Sequence, residues 1–312
     1  MQKIKVAFFG TPEFSVPVLQ GLIDNYDVVL VVTQPDKSVG RHHLLMPSPV
    51  KKLALENKIK VFAPEKIRLD FNEVISSGVD IIVTCAYGQI IPKEILIYPR
   101  LGCINVHASL LPKLRGGAPI HRAVMNGETE TGITIMFMDE KMDNGNIITQ
   151  RKIKILATDN TGIVHDKLSN LGRDLLLETL PLIIDNKHSQ TKQDENLVTF
   201  AFNIKRTDEK LDFGKTTNEL VNQVRGLFPW PLSYILINNI EIKVLKAHGE
   251  EDNSNKPTGE IININEEGIY IKTIDGVLVI EKIKPAGKKE IIIKEYLNGN
   301  DVQKLIGKSV IS

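Results

Sequence analysis

The first two-thirds of the chain alternates short, near-continuous apolar runs with segments in which apolar residues recur every three or four positions. The runs Ile4–Gly10, Asp27–Thr33, Ile59–Ala63, Val79–Ala86, Leu101–Val106, Gly132–Met138 and Ile147–Ile155 predict strands. Val50–Glu56, Ala118–Asn126 and Thr161–Asn186 predict helices, and Thr11-Pro12-Glu13 reads as a helix start with a hydroxyl cap. Apolar strands alternating with helices indicate a doubly wound, mostly parallel sheet, an α/β Rossmann-like unit. After a polar connector from Lys187 to about Asn196 and a helix at Thr217–Gly226, the period changes. Ser233–Ile237, Glu241–Leu245, Gly259–Ile264, Ile269–Thr273 and Val277–Lys284 predict short strands, with hairpin turns at Asn238-Asn239 and Asp275-Gly276. An OB-like β-barrel is expected from them. The expected division is an α/β domain over residues 1–188, a linker over 189–206 and the OB-like domain over 207–312.

Composition narrows the setting. The 312 residues are 42% hydrophobic and 25% charged, with a net charge of +1, so polyanion binding must rely on local patches. No run approaches the ~18 apolar residues of a membrane span, and the start has no cleavable apolar segment. Cys85 and Cys103 both fall inside apolar runs, which points to a reducing, cytoplasmic compartment. Apart from His42-His43 the seven histidines are scattered, none with zinc spacing, and no metal is expected.

In a doubly wound sheet the ligand site lies beyond the carboxyl ends of the strands. Gly10, Tyr87-Gly88 and Asn105–His107 fall at such ends. Gly10 is followed by Thr-Pro-Glu-Phe, not by the spaced glycines of a dinucleotide fingerprint, so no NAD is expected. Asn105 and His107, two apart on a strand, face the same side. An amide can donate to a developing oxyanion, an imidazole can move a proton near neutral pH, and Asp143 can orient the imidazole. For the tripeptide Asn105-Val-His107 alone, a strand-end pair satisfied by local hydrogen bonds is the better reading.

The wider pattern is more specific. It comprises Phe9-Gly-Thr-Pro-Glu-Phe14, Thr33-Gln-Pro-Asp36, Gly40-Arg41, Met46-Pro-Ser-Pro-Val-Lys51, Tyr87-Gly88 and Asn105-Val-His-Ala-Ser-Leu-Leu-Pro112. It continues with Arg115-Gly-Gly-Ala-Pro-Ile120, Thr131-Gly-Ile-Thr134, Met142-Asp-Asn-Gly145, Arg225-Gly-Leu-Phe-Pro-Trp-Pro231 and Pro285-Ala-Gly-Lys-Lys289. Across essentially its whole length the chain resembles the methionyl-tRNA formyltransferases. The resemblance implies 10-formyltetrahydrofolate as formyl donor and the methionine amino group of initiator Met-tRNA as acceptor. It places catalysis on Asn105, His107 and Asp143, and folate contact on Ser109, Leu110, Leu111 and Pro112. Tyr87 and Gly88 can close the same pocket, although a purely structural role for the pair is as good a reading. It assigns the tRNA acceptor end to Arg41, within the loop Lys37–Pro49. There the relatives commonly carry lysines after the arginine, whereas this chain has His42-His43-Leu44-Leu45.

Lys282-Ile-Lys284-Pro-Ala-Gly-Lys288-Lys289 is the best basic strip of the second domain, and Lys205-Arg206, at the end of the expected linker, is a weaker candidate; each is either an RNA contact or a solvated face. Trp230, the only tryptophan, reads as a packing anchor. The expected chemistry is direct attack of the amine on the formyl carbon, with Asn105 donating to the oxyanion. Whether His107 or Asp143 moves the proton is open at this level. The alternatives are a nucleotide-sugar formyltransferase, a formyl-folate hydrolase and a non-catalytic RNA-binding module. A monomer is expected.

Overall fold

The computed structural model describes residues 3–39, 44–298 and 303–310. In chain order its first elements are β1 (Lys5–Gly10), α1 (Val16–Asn25), β2 (Asp27–Val32), β3 (Lys37–Val39), β4 (Leu44–Met46), α2 (Pro49–Glu56) and β5 (Lys60–Phe62). Then come α3 (Asn72–Ile75), β6 (Ile81–Cys85), α4 (Lys93–Leu96), β7 (Cys103–His107), α5 (Pro119–Met125), β8 (Glu130–Phe137), β9 (Ile147–Lys154) and α6 (Thr161–Ile184). The remainder holds α7 (Arg206–Glu209), α8 (Thr217–Gly226), β10 (Ser233–Ile237), β11 (Ile240–Glu250), β12 (Ile261–Ile264), β13 (Ile269–Lys272), β14 (Val277–Pro285), β15 (Ile291–Ile292) and α9 (Ile293–Leu297). These form two compact units. The first comprises Met1–Pro119, Glu130–Lys154 and His165–Phe202; the second comprises Ile120–Thr129, Ile155–Val164 and Asn203–Ser312.

The first unit is built on a seven-stranded sheet of order β5-β2-β1-β6-β7-β8-β9. The strands from β5 to β7 run parallel, and β8 and β9 are antiparallel additions. Its parallel core reads as unbroken apolar sequence because both faces are covered: Val6 to Phe9 and Ile81 to Val83 are all fully buried. On β7 the two faces divide the labour. Val106 is buried, and Gly172 of α6 lies close enough that a Cβ there would stand 3.0 Å from the Val106 Cγ1. Asn105 and His107 face the other way. The start of α1 differs from expectation: a short 3-10 turn, Glu13–Ser15, precedes the helix. Thr11 does not cap it, because its hydroxyl donates to the Tyr87 carbonyl at 3.0 Å. The β3–β4 hairpin within the loop Lys37–Pro49 was not foreshadowed by the hydrophobic pattern, since Leu44, Leu45 and Met46 are all exposed. Arg41, with His42 and His43, lies outside the described residues.

The stretch after α6, expected as a linker, is tied into the first unit along much of its length. Thr191 exchanges backbone hydrogen bonds with Ile147 at 2.8 and 2.9 Å. The Thr199 carbonyl accepts from the Arg115 amide at 2.9 Å, and the Ala201 amide donates to the Arg115 carbonyl at 2.7 Å. Gly116 permits this approach: a Cβ there would lie 2.8 Å from the Ala201 carbonyl oxygen, and its φ of +123° suits only glycine.

In the second unit the sheet order is β10-β11-β14-β13-β12, with β15 on β14. All pairings are antiparallel, and the sheet curls into a half-barrel consistent with the OB-like expectation. Helix α8 starts at a reciprocal cap, in which Thr216 accepts from the Glu219 amide and Glu219 accepts from the Thr216 amide. Its Leu220 and Val224 join Phe213, Val244, Ile271 and Ile283 in one buried cluster. By area bookkeeping, each such side chain contributes about 1.5–3 kcal/mol.

Candidate active site

β7 lies between parallel β6 and antiparallel β8, and this pairing sets the first layer of the site. Thr84 of β6 is opposite Asn105, and Thr134 of β8 is opposite His107. The Thr84 hydroxyl donates to Asn105 Oδ1 at 2.8 Å. With the hydroxyl as donor, the amide nitrogen, a pure donor, is the end turned away from Thr84.

His107 is 6% exposed, and its Nε2 lies 3.1 Å from the Leu114 carbonyl oxygen. A carbonyl only accepts, so Nε2 carries a hydrogen. The ring atom open to take up a proton is therefore Nδ1, which lies 3.6 Å from Asp143 Oδ1. Asp143 is aimed by its other oxygen, which accepts from the Gly116 amide at 2.8 Å. Its backbone sits in the left-handed region at φ +51°, where a non-glycine residue needs its surroundings to hold it. The structure thus brings Asn105 and His107 together on one strand face and sets Asp143 beside the ring.

The turn after β7 is self-bonded. Ser109 is fully buried, and its hydroxyl donates to the Lys113 carbonyl at 2.6 Å. Thr134 donates to the Ser109 carbonyl at 2.7 Å and accepts from the Leu111 amide at 3.1 Å and from Gln150 at 2.8 Å. Gln150 also donates to the Leu111 carbonyl at 2.8 Å. The peptide between Leu111 and Pro112 is cis. Leu111 is buried, whereas Leu110 and Pro112 are half-buried and are the apolar surface this loop offers.

Tyr87 lies in the core, 4% exposed, packed edge-on to Phe9 with ring centroids 5.3 Å apart. Burial pushes its phenol well above the usual tyrosine range, and its hydroxyl has no hydrogen-bond partner. Its carbonyl accepts from Thr11 and from Gln34, both at 3.0 Å. Gly88 has φ +86°, and a Cβ there would meet the Gln34 amide nitrogen at 2.4 Å. The pair therefore shapes the junction of the β1, β2 and β6 ends.

Lys205, Lys288 and Lys289 are exposed and belong to the second unit. Arg206 is engaged by Glu209 and Glu241 and lies 4.0 Å over the Tyr234 ring. Trp230 packs edge-on to His121, with ring centroids 5.8 Å apart. Among the described residues no group of three or more His, Cys, Asp or Glu is placed to hold a metal ion.

Sequence reasoning missed the residues that hold the site. Thr134 was visible only as part of a motif, Thr84 and Gln150 carried no signal, and Gln193 lay in a stretch read as polar linker. Pairing register exposes the first three. Chain-remote contact exposes the fourth.

Residues 2–180 match the family described as formyl transferase, and residues 203–301 match the formyl transferase C-terminal domain. A methionyl-tRNA formyltransferase of Staphylococcus aureus (strain MW2) is 47% identical over 310 residues, covering 98% of this chain and 99% of its own. Among solved structures, a sugar 3N-formyltransferase determined with dTDP and 5-N-formyl-tetrahydrofolate superposes with a TM-score of 0.67 at 25% identity, over 93% of this chain and all of its own. An N-formyltransferase from Helicobacter canadensis, in complex with folinic acid and dTDP-3-aminofucose, shares the fold with a TM-score of 0.68 at 24% identity, over 92% and 100% of the two chains. The two family matches and the near-complete, 47% identical alignment show that the chain belongs to the methionyl-tRNA formyltransferase family.

Proposed function

We propose that this chain transfers the formyl group of 10-formyltetrahydrofolate to the amino group of methionyl-initiator tRNA, giving the N-formylated form used to start translation. The observation that carries the reading is the 47% identity to enzymes of that name over 98% of the chain, second domain included. Sugar formyltransferases share the fold at much lower identity.

The site residues supply the steps. A free α-amino group has a pKa of about 7.7–8.0, and esterification of the adjacent carboxyl lowers it, so the attacking amine needs no strong base. Attack on the formyl carbon puts negative charge on the formyl oxygen, and the Asn105 amide nitrogen, turned outward by Thr84, donates to it. The tetrahedral adduct must then lose a proton from nitrogen. His107 Nδ1 receives it, and Asp143 stabilises the imidazolium that results. Collapse of the adduct expels the folate amine, which takes up that proton. Leu110 and Pro112 offer apolar surface to the pterin.

The first unit carries this chemistry, and the second contacts tRNA through Lys205, Lys288 and Lys289. Arg41 grips the acceptor end. The enzyme acts as a cytoplasmic monomer. Among the described residues no helix is long and apolar enough to cross a membrane.

The test is incubation with labelled 10-formyltetrahydrofolate and, separately, initiator Met-tRNA, free methionine, an amino-sugar nucleotide or water. Label on Met-tRNA alone is expected; label on the sugar nucleotide, or release of formate with water alone, overturns the reading. Arg41→Ala is expected to raise the Michaelis constant for Met-tRNA and not for the folate, and an equal rise in both removes Arg41 from tRNA recognition.

A further inference from the structure

Gln193 is 4% exposed and saturates its side chain with contacts of unambiguous polarity. Its Oε1 accepts from Arg115 Nε at 3.0 Å and from Nη2 at 2.8 Å. A guanidinium only donates, so the amide orientation is set. The Nε2 must then face the other way, where it donates to the Asp143 carbonyl at 2.8 Å and to the Gly145 carbonyl at 2.9 Å. Arg115 adds a third hold on the same turn, with Nη1 donating to Asn144 Oδ1 at 3.1 Å. Arg115 is itself 5% exposed and paired with Glu195 at 3.1 Å.

We propose that Gln193 is a positioning residue for formyl transfer, acting through Asp143. It clamps the backbone on both sides of Asn144, and so fixes the left-handed conformation that presents the Asp143 carboxylate to His107. Arg115 is the rigid post to which the clamp is attached. A geometric error of about 1 Å in a catalytic group commonly costs on the order of a hundredfold in rate, so the hold acts on turnover and not on substrate affinity. This assignment rests on the role given above to His107 and Asp143.

Two substitutions separate the clamp from general packing. Gln193→Glu keeps the acceptors for Arg115 but sets a carboxylate oxygen against the Asp143 and Gly145 carbonyls. Gln193→Met keeps the bulk and loses every hydrogen bond. In full-length protein of near-native melting temperature, single-turnover formylation of Met-tRNA by Gln193→Glu is expected to slow about 10–100-fold. The Michaelis constants for folate and tRNA should stay within about twofold of the parent. In an Asp143→Ala background the same substitution is expected to change the rate less than about twofold, because the group it positions is gone. Should Gln193→Glu fail to fold, Gln193→Met is carried through the same cycle. A folded variant with parental turnover, or one whose loss is as large without Asp143 as with it, overturns the assignment. Parental activity of Asp143→Ala alone is the separate outcome that overturns the mechanism beneath it.

Discussion

The Thr84 hydroxyl and the Asn105 side-chain carbonyl meet across the β6–β7 ladder at 2.8 Å. The contact is a consequence of register, since the two residues are direct partners on neighbouring parallel strands. Without it the amide is free to turn and offer its oxygen, an acceptor, to an oxyanion. Thr84→Val is expected to lower kcat about tenfold, since one neutral hydrogen bond is worth about 0.5–1.5 kcal/mol. Asn105→Ala, which removes the donor itself, should cost at least ~100-fold. Steady-state rates of the two variants check this ordering, and a Thr84→Val loss as large as that of Asn105→Ala would contradict it.

Gly145 closes the turn that carries Asp143. A Cβ at this position would fall 1.9 Å from the Phe137 carbonyl oxygen, a backbone atom with no freedom to withdraw. Gly145→Ala must therefore displace the turn or β8. A stability loss of about 2–4 kcal/mol is expected, together with loss of turnover. Urea unfolding of the variant measures the first and formylation the second.

The half-barrel carries its own pH dependence. His248 lies 2.9 Å from Glu281 and 3.1 Å from Glu250. Burial works against its charged form, but the two carboxylates outweigh it and raise the imidazole above its ordinary value of 6.5. A raised folded-state value means that the stabilisation is complete below the unfolded value and fades as pH rises through the folded one. Glu281, held below the usual carboxylate range, stays ionised throughout this window. The melting temperature of the parent should exceed that of His248→Gln by more at about pH 5.5 than at about pH 8.5. Melting curves at both pH values decide it, and an equal gap at the two removes the pair from the stability balance.

Cys85 and Cys103 are 0% and 2% exposed, and burial pushes both thiols up to about 12. The thiolate is the reactive species, so neither residue should react with a thiol reagent at neutral pH. Titration is expected to count no fast thiols in native protein and two in denaturant. Rapid native labelling of either cysteine would contradict the packing of the parallel sheet.

The sheet was legible because strands buried on both faces spell apolar runs, as at Val6–Phe9 and Ile81–Val83. Asn105, His107 and Asp143 stood out because their side chains carry chemistry that a core does not use. What stayed hidden is what depends on partners distant in sequence. Thr84 is 21 residues from Asn105, and Gln193 is 50 from Asp143. No local pattern marks either. The Thr11 hydroxyl illustrates the converse: its spacing satisfied a capping rule, yet the Tyr87 carbonyl, 76 residues on, took the hydrogen bond instead. The β3–β4 hairpin escaped for a third reason, since exposed strand residues leave no alternation to read.

The strap from Thr191 to Ala201 also bears on how such chains can be divided or recombined. A fragment or fusion joined at residue 188 would keep Asn105, His107 and Asp143, and would look catalytically complete by that measure. It would lack Gln193, Glu195, Thr199 and Ala201, which hold Arg115 and, through Gln193, the Asp143 turn. Exchange of second domains between relatives is thus expected to preserve catalysis when the junction falls after Phe202, and to lose it when the junction falls at the end of the long helix.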